Sequence, residues 1–158
     1  MKIGLAQFRV AKAPMTMVTM ALGSCLGIVL YDETTDIGGL AHVMHPKREL
    51  VKNNANKAKF VDSAIVLMLG RMIKRGARRE RIVAKIFGGA KMFKNVSGSP
   101  GVLQIGEKNI LAAREKLAEL DIPIVAADVG GNQGRTIRFD VSDGTVLLRD
   151  ARGGERIY

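Results

Sequence analysis

Apolar residues run almost unbroken from Leu26 to Tyr31 and again from Ile37 to Met44, separated only by Asp32-Glu33-Thr34-Thr35-Asp36. Short apolar runs rich in β-branched residues and bounded by turn formers predict two strands joined by a tight turn. Residues 2–10 and 14–22 predict two earlier strands, with Val18-Thr19-Met20 leading into Gly23-Ser24-Cys25. Residues 47–57 are basic and asparagine-rich, a loop leading into a helix. The period then changes. Phe60, Val61, Ala64, Ile65, Met68, Leu69, Met72 and Ile73 recur at helical spacing across 57–75, and Gly76 suits the position just past a helix end. Ile82 to Phe87 predicts a buried strand that Gly88-Gly89-Ala90 stops, and residues 95–101 predict a loop. Gln104 to Leu120 predicts a second helix with Ile110, Ala113, Leu117 and Leu120 on one face. Ile122 to Asp128 predicts a strand, followed by the loop Gly130-Gly131-Asn132-Gln133-Gly134. Thr136 to Val141 alternates, Ser142-Asp143-Gly144-Thr145 turns, and Val146 to Arg149 returns as a hairpin.

Strands dominate both ends and two longer helices lie between, without regular strand–helix alternation. The expected class is α+β: a largely antiparallel β-sheet sandwich covered by two or three helices. At 158 residues the expectation is a single domain over 1–158. No apolar run is long enough to span a bilayer, the opening Met1-Lys2-Ile3-Gly4 lacks the layout of an export signal, and there is one cysteine. The expected compartment is therefore the reducing cytoplasm, with no membrane insertion.

Charge adds a preference for partners. Lys and Arg total 25 against 15 Asp and Glu, a net +10, which favours acidic partners. Arg71, Lys74, Arg75, Arg78, Arg79 and Arg81 crowd one helix end, with only Glu80 opposing. Nucleic acid is not the expected partner: there is no zinc-finger spacing, and aromatics are 4% of residues. Gly88-Gly89-Ala90-Lys91-Met92-Phe93 lacks the lysine–serine/threonine pair of a phosphate loop, and Gly130 to Arg135 lacks the helix that a dinucleotide fingerprint needs. Both segments read as tight turns crowding a cleft.

The candidate chemistry centres on Cys25. A lone thiol cannot close an internal disulfide or supply a multi-cysteine metal site. It is either a small buried hydrophobe or a nucleophile that needs a base. His42 lies on the next strand. If the hairpin turns through Asp32-Glu33-Thr34-Thr35, Tyr31 faces Asp36 and Cys25 faces His42, with Cβ atoms about 5 Å apart. A five-residue turn would put Val43 opposite instead. Thr19 carries a hydroxyl able to accept from the imidazole, and the backbone amides of Ser24 and Cys25 could hold an oxyanion. His45, before Pro46 at a strand end, ranks below His42 as a base. Around the cysteine, Ser24, Gly88, Gly89, Met92 and Phe93 are the expected substrate or partner contacts, with Lys91 adding charge.

Gly23-Ser24-Cys25, Ala41-His42-Val43-Met44, Gly88-Gly89-Ala90 with Met92-Phe93, Ile105-Gly106 with Asn109, and Asp128-Val129-Gly130-Gly131 with Gly134-Arg135 occur in this order. Taken together they resemble the CheD family of chemoreceptor glutamine deamidases over roughly residues 2–155. The resemblance implies hydrolysis of receptor glutamine side chains to glutamate and ammonia through a thioester. Cys25 would be the nucleophile, His42 the base and Thr19 the orienting residue. It implies no metal or organic cofactor. It also implies a chemoreceptor cytoplasmic domain as substrate and the phosphatase CheC as a partner on the same face. The implied fold is a sandwich related to the deamidating domain of cytotoxic necrotizing factor toxins. The pattern departs at His45, where the family usually carries an aliphatic residue. A non-enzymatic module binding receptor or CheC is the alternative.

Overall fold

The computed structural model describes residues 1–92 and 104–158; the expected loop at 95–101 and Phe93 lie outside them. In chain order the described elements are β1 (Gln7–Lys12), β2 (Thr16–Leu22), β3 (Leu26–Asp32), β4 (Ile37–Val43), α1 (Val61–Lys74) and β5 (Val83–Gly88). They continue with α2 (Ile105–Glu119), β6 (Ile124–Val129), β7 (Arg135–Asp140), β8 (Val146–Asp150) and β9 (Glu155–Ile157). One sheet has the order β1-β4-β3-β5-β6 and is antiparallel except for the parallel pair β5–β6. The other, β2-β7-β8-β9, is antiparallel. This is the expected α+β sandwich, with two α-helices among the described residues.

The first sheet is the middle layer, which explains the unbroken apolar runs. Every residue of β3 and β4 is buried, because both faces are covered. Leu26, Ile28, Leu30, Ala41 and Val43 pack with α1 and α2 on one face. Val29, Tyr31 and Leu40 pack with Met17, Ile137, Phe139 and Leu148 of the second sheet on the other. Tyr31 meets Phe139 edge-on, with ring centroids 5.8 Å apart. Truncating such a residue to alanine costs about 3–5 kcal/mol.

Several boundaries differ from expectation; β6, for one, starts at Ile124 rather than Ile122. The stretch 2–10 is split by a turn at Leu5-Ala6, where Ala6 has φ 55. Ile3 donates its N–H to Val18 O beside β2, while Phe8 and Val10 pair with β4, so the N-terminal stretch joins both sheets. The first helix starts at Val61 rather than 57. Asn56 accepts from the Ala58 N–H and holds a 3₁₀ turn over Lys57–Lys59, and Phe60 is extended and bridged to His45. Helix α1 ends as expected: the Gly76 N–H bonds Ile73 O and the Ala77 N–H bonds Met72 O, with Gly76 at φ 103. Strand β9 has no sequence signal, since its residues are all exposed.

The β3–β4 register also differs. Asp32 pairs with Ile37, Tyr31 with Gly38 and Gly27 with His42, so Cys25 does not face His42 directly. The loop has the expected four residues, but they are Glu33 to Asp36 rather than Asp32 to Thr35. The cause is Asp32, whose buried carboxylate accepts from the Thr34 N–H, both threonine hydroxyls and the Arg78 N–H. It belongs to the strand end and not to the loop. Moving a loop by one residue changes every partner by two, and that keeps each side chain on its face.

Candidate active site

The polypeptide crosses from the second sheet to the first between β2 and β3, and Cys25 sits on that crossing. A β-bulge prepares it. Thr19 pairs with Ile137 and Leu22 with Arg135, so β2 spends three steps where β7 spends two. Ala21 takes φ 58 there. In a regular strand residues 19 and 22 would face opposite ways; the bulge buries both. Gly23-Ser24-Cys25 then turns into β3, and Cys25 packs, half-buried, against the core between the sheets.

The turn is zipped to the chain after β5. The Gly89 N–H donates to Cys25 O and the Ala90 N–H to Gly23 O, each at 2.8 Å. Gly88 has φ 105, and a Cβ there would lie 2.4 Å from Cys25 O, so only glycine allows this approach. Gly88 and Gly89 are thus buried against the turn. Met92 is 47% exposed and its side chain lies over Gly23. Ser24 is half-buried, and Lys91 is paired with Glu107 at 2.8 Å.

The two-residue shift leaves His42 on the same face of the first sheet as Cys25. Its direct partner, Gly27, has no side chain to stand between them. The imidazole is 3% exposed. Thr19, fully buried on β2, reaches it across the gap between the sheets, with Oγ1 2.8 Å from Nδ1. Thr19 also donates its single hydroxyl proton to Ile3 O at 2.9 Å. A carbonyl only accepts, so the hydroxyl must accept from the ring and Nδ1 carries the proton. The lone pair is left on Nε2, which has no hydrogen-bond partner among the described residues. Burial lowers the His42 pKa and so favours the neutral ring. Burial also raises the Cys25 thiol, against the opposing pull of its own backbone N–H. Both shifts favour the uncharged forms of the thiol and the imidazole.

His45 is elsewhere. It lies on the helix side, bridged to Phe60, with ring centroids 6.0 Å apart. Asn109, named above only within a motif, proves to be in the site. Fully buried on α2, its amide donates to Ser24 O at 2.9 Å and to Met44 O at 3.1 Å. Helical spacing puts it one turn before Ala113 on the buried stripe with Leu117, a polar residue on an apolar face, and that was the available signal. A cavity of about 690 Å³ lined by Arg114, Ala118, Asp121, Ile122, Pro123 and Ile124 lies at the opposite end of the sheet from Cys25. Among the described residues, no three His, Cys, Asp or Glu side chains gather as a metal site would need, and no helix is long and apolar enough to cross a membrane.

Comparison with known proteins gives the family. The family model described as CheD chemotactic sensory transduction matches residues 44–150. The chain belongs to the CheD family. It is 48% identical over 148 residues to the "Probable chemoreceptor glutamine deamidase CheD" of Moorella thermoacetica, covering 94% of this chain and 89% of that one. It is 44% identical over 156 residues to the protein of the same name from Syntrophomonas wolfei, covering 99% and 96%. The CheD model match begins at Met44, after Thr19, Cys25 and His42, but an alignment spanning 94% of the chain has to include them. Among solved structures, the crystal structure of Bacillus licheniformis hypothetical protein YfiH superposes with a TM-score of 0.50 at 16% identity, covering 77% of this chain and 49% of that one. That likeness concerns the fold alone.

Proposed function

We propose that this CheD-family chain is a chemoreceptor glutamine deamidase that works through Cys25, His42 and Thr19. The observation that carries the mechanism is the tautomer. Ile3 O takes the Thr19 proton, Thr19 takes the Nδ1 proton, and the buried Nε2 is left without a partner on the face it shares with Cys25. In the first step Sγ attacks the glutamine carboxamide carbon and its proton passes to Nε2. The oxyanion faces the Cys25 N–H. Nε2 returns the proton to the departing nitrogen, ammonia leaves, and a thioester remains. Water attacks the thioester with Nε2 again as base; the carbon–sulfur bond breaks, Cys25 recovers its proton, and glutamate is released. Each step uses groups of this chain, with no metal or organic cofactor.

Ser24 and Met92 stand at the rim where a receptor helix would enter, and Gly88 and Gly89 shape the floor beneath the turn. Phe93, the remaining expected contact, lies outside the described residues. The reaction belongs in the cytoplasm, on the receptor's cytoplasmic domain, and CheC is a partner for the same rim. The test is incubation with a receptor cytoplasmic domain followed by peptide mass spectrometry. Wild type adds about one dalton per modified glutamine, whereas Cys25→Ala and Cys25→Ser add none while keeping the wild-type melting temperature. Full deamidation by Cys25→Ala would end the nucleophile assignment. Receptor binding by wild type without any mass change would identify a non-enzymatic module.

A further inference from the structure

One side chain joins the strand of the base to the turn of the nucleophile, and it belongs to neither. Asn109 is fully buried on α2. One of its two amide protons goes to Ser24 O at 2.9 Å and the other to Met44 O at 3.1 Å. Ser24 precedes Cys25, and Met44 lies two residues beyond His42 on the same chain. Both contacts are carbonyls, so the NH₂ end of the amide must face them. Among the described residues Oδ1 has no partner.

The peptide plane turns this contact into catalytic geometry. In a trans peptide the carbonyl of Ser24 and the N–H of Cys25 point in opposite directions from one rigid plane. Holding Ser24 O toward α2 therefore aims the Cys25 N–H away from α2. The second proton anchors the end of the His42 strand to the same planar group. Helix α2 comes close enough because Gly106, one turn before Asn109, lies directly on the chain after β5. A Cβ on Gly106 would stand 2.6 Å from Gly89 O.

We infer that Asn109 is a positioning residue that fixes the Cys25 amide and the spacing between nucleophile and base. The inference rests on the Cys25–His42 reading. Aspartate has the same shape but, as a carboxylate, offers no proton to either carbonyl, so Asn109→Asp is the informative variant. Because the contact orients reacting groups and touches no substrate, kcat for receptor deamidation should fall roughly tenfold to a hundredfold with KM unchanged. Alkylation of Cys25 by iodoacetamide should slow in parallel. A purely structural asparagine would leave both rates at wild-type values in the folded fraction, and that result overturns the inference. Should Asn109→Asp fail to fold, the unaltered protein supplies the second measurement. Its Asn109 side-chain amide protons, followed by ¹⁵N NMR, should exchange slowly and shift when Cys25 is alkylated; fast exchange or an unmoved signal overturns the inference. Cys25→Ala, run alongside, keeps the two levels apart. If it is active, the nucleophile reading itself fails. If it is inactive while Asn109→Asp turns over normally, only the role of Asn109 fails.

Discussion

The β3–β4 hairpin buries one polar side chain near each of its ends, and the two are solved in opposite ways. Asp32, at the loop end, accepts four hydrogen bonds from Thr34, Thr35 and Arg78. Burial alone would raise its carboxyl, but these donors hold it below the usual carboxylate range. His42, at the open end, has one nitrogen bonded to Thr19 and the other bare among the described residues, and burial pushes its pKa down without compensation. A buried polar group with every valence used stabilises the fold. One with a valence withheld weakens the fold and remains available for chemistry.

Exchanging each residue for alanine breaks this contrast most directly. His42→Ala should lower deamidation by roughly a hundredfold to ten-thousandfold. Its stability should change by only about 1 kcal/mol, because an unsatisfied group leaves with the ring. Asp32→Ala should do the reverse, losing about 3 kcal/mol in denaturant titration while the folded fraction keeps its turnover number. Activity lost in Asp32→Ala at full folding would show that the far end of the hairpin communicates with the site.

Acid separates the two residues along another axis. Only neutral His42 serves as base, and its folded pKa lies below the ordinary imidazole value of about 6.5. The rate should therefore fall about tenfold per pH unit below that depressed pKa. Stability follows the same sign, because the unfolded chain binds the proton first: it declines as pH drops below about 6.5. The contribution of Asp32 persists through this range. It is present above the unfolded carboxyl value of about 3.9 and is lost only as pH falls through the lower folded value. A pH–rate profile set beside a pH–stability profile should show stability starting to decline at about 6.5, the rate falling below the depressed His42 value, and the Asp32 contribution leaving last. At the alkaline side, alkylation of Cys25 should keep rising beyond the ordinary thiol value of about 8.5, since burial raises this thiol.

A smaller effect is expected at the relay. Thr19→Val leaves the Nδ1 proton and Ile3 O without a partner and lets the ring choose either tautomer. A drop of about tenfold in kcat should result, with Thr19→Ser restoring most of it. An unchanged rate in Thr19→Val would reduce Thr19 to a core residue. The smallest change should come from His45→Ala. That ring stacks on Phe60 at the start of α1, and deamidation should stay within about twofold of wild type.

Strand and helix identity was legible because period and burial follow from local sequence. The runs Leu26 to Tyr31 and Ile37 to Met44 could only be strands, and the α1 stripe could only be a helix. The pairing of Cys25, His42 and Thr19 was legible in part. The face on which each side chain lies survives any even slip of register, so a wrong turn position still brought cysteine and histidine to the same face. The exact partner was not legible. It depends on Arg78, distant in sequence, drawing Asp32 into the strand end through a backbone N–H.

By itself, then, the sequence determined the elements, the α+β class and the reactive residue types, through patterns repeated every two or every three to four positions. The tertiary structure decided how those residues meet. A bulge at Met20-Ala21 turns Thr19 inward along with Leu22, and the neighbouring carbonyl of Ile3 selects the tautomer of His42. Asn109, reaching across from α2 to Ser24 and Met44, ties the two segments together. Each of these depends on backbone carbonyls and amides, which every residue carries alike, so no side-chain pattern could announce them.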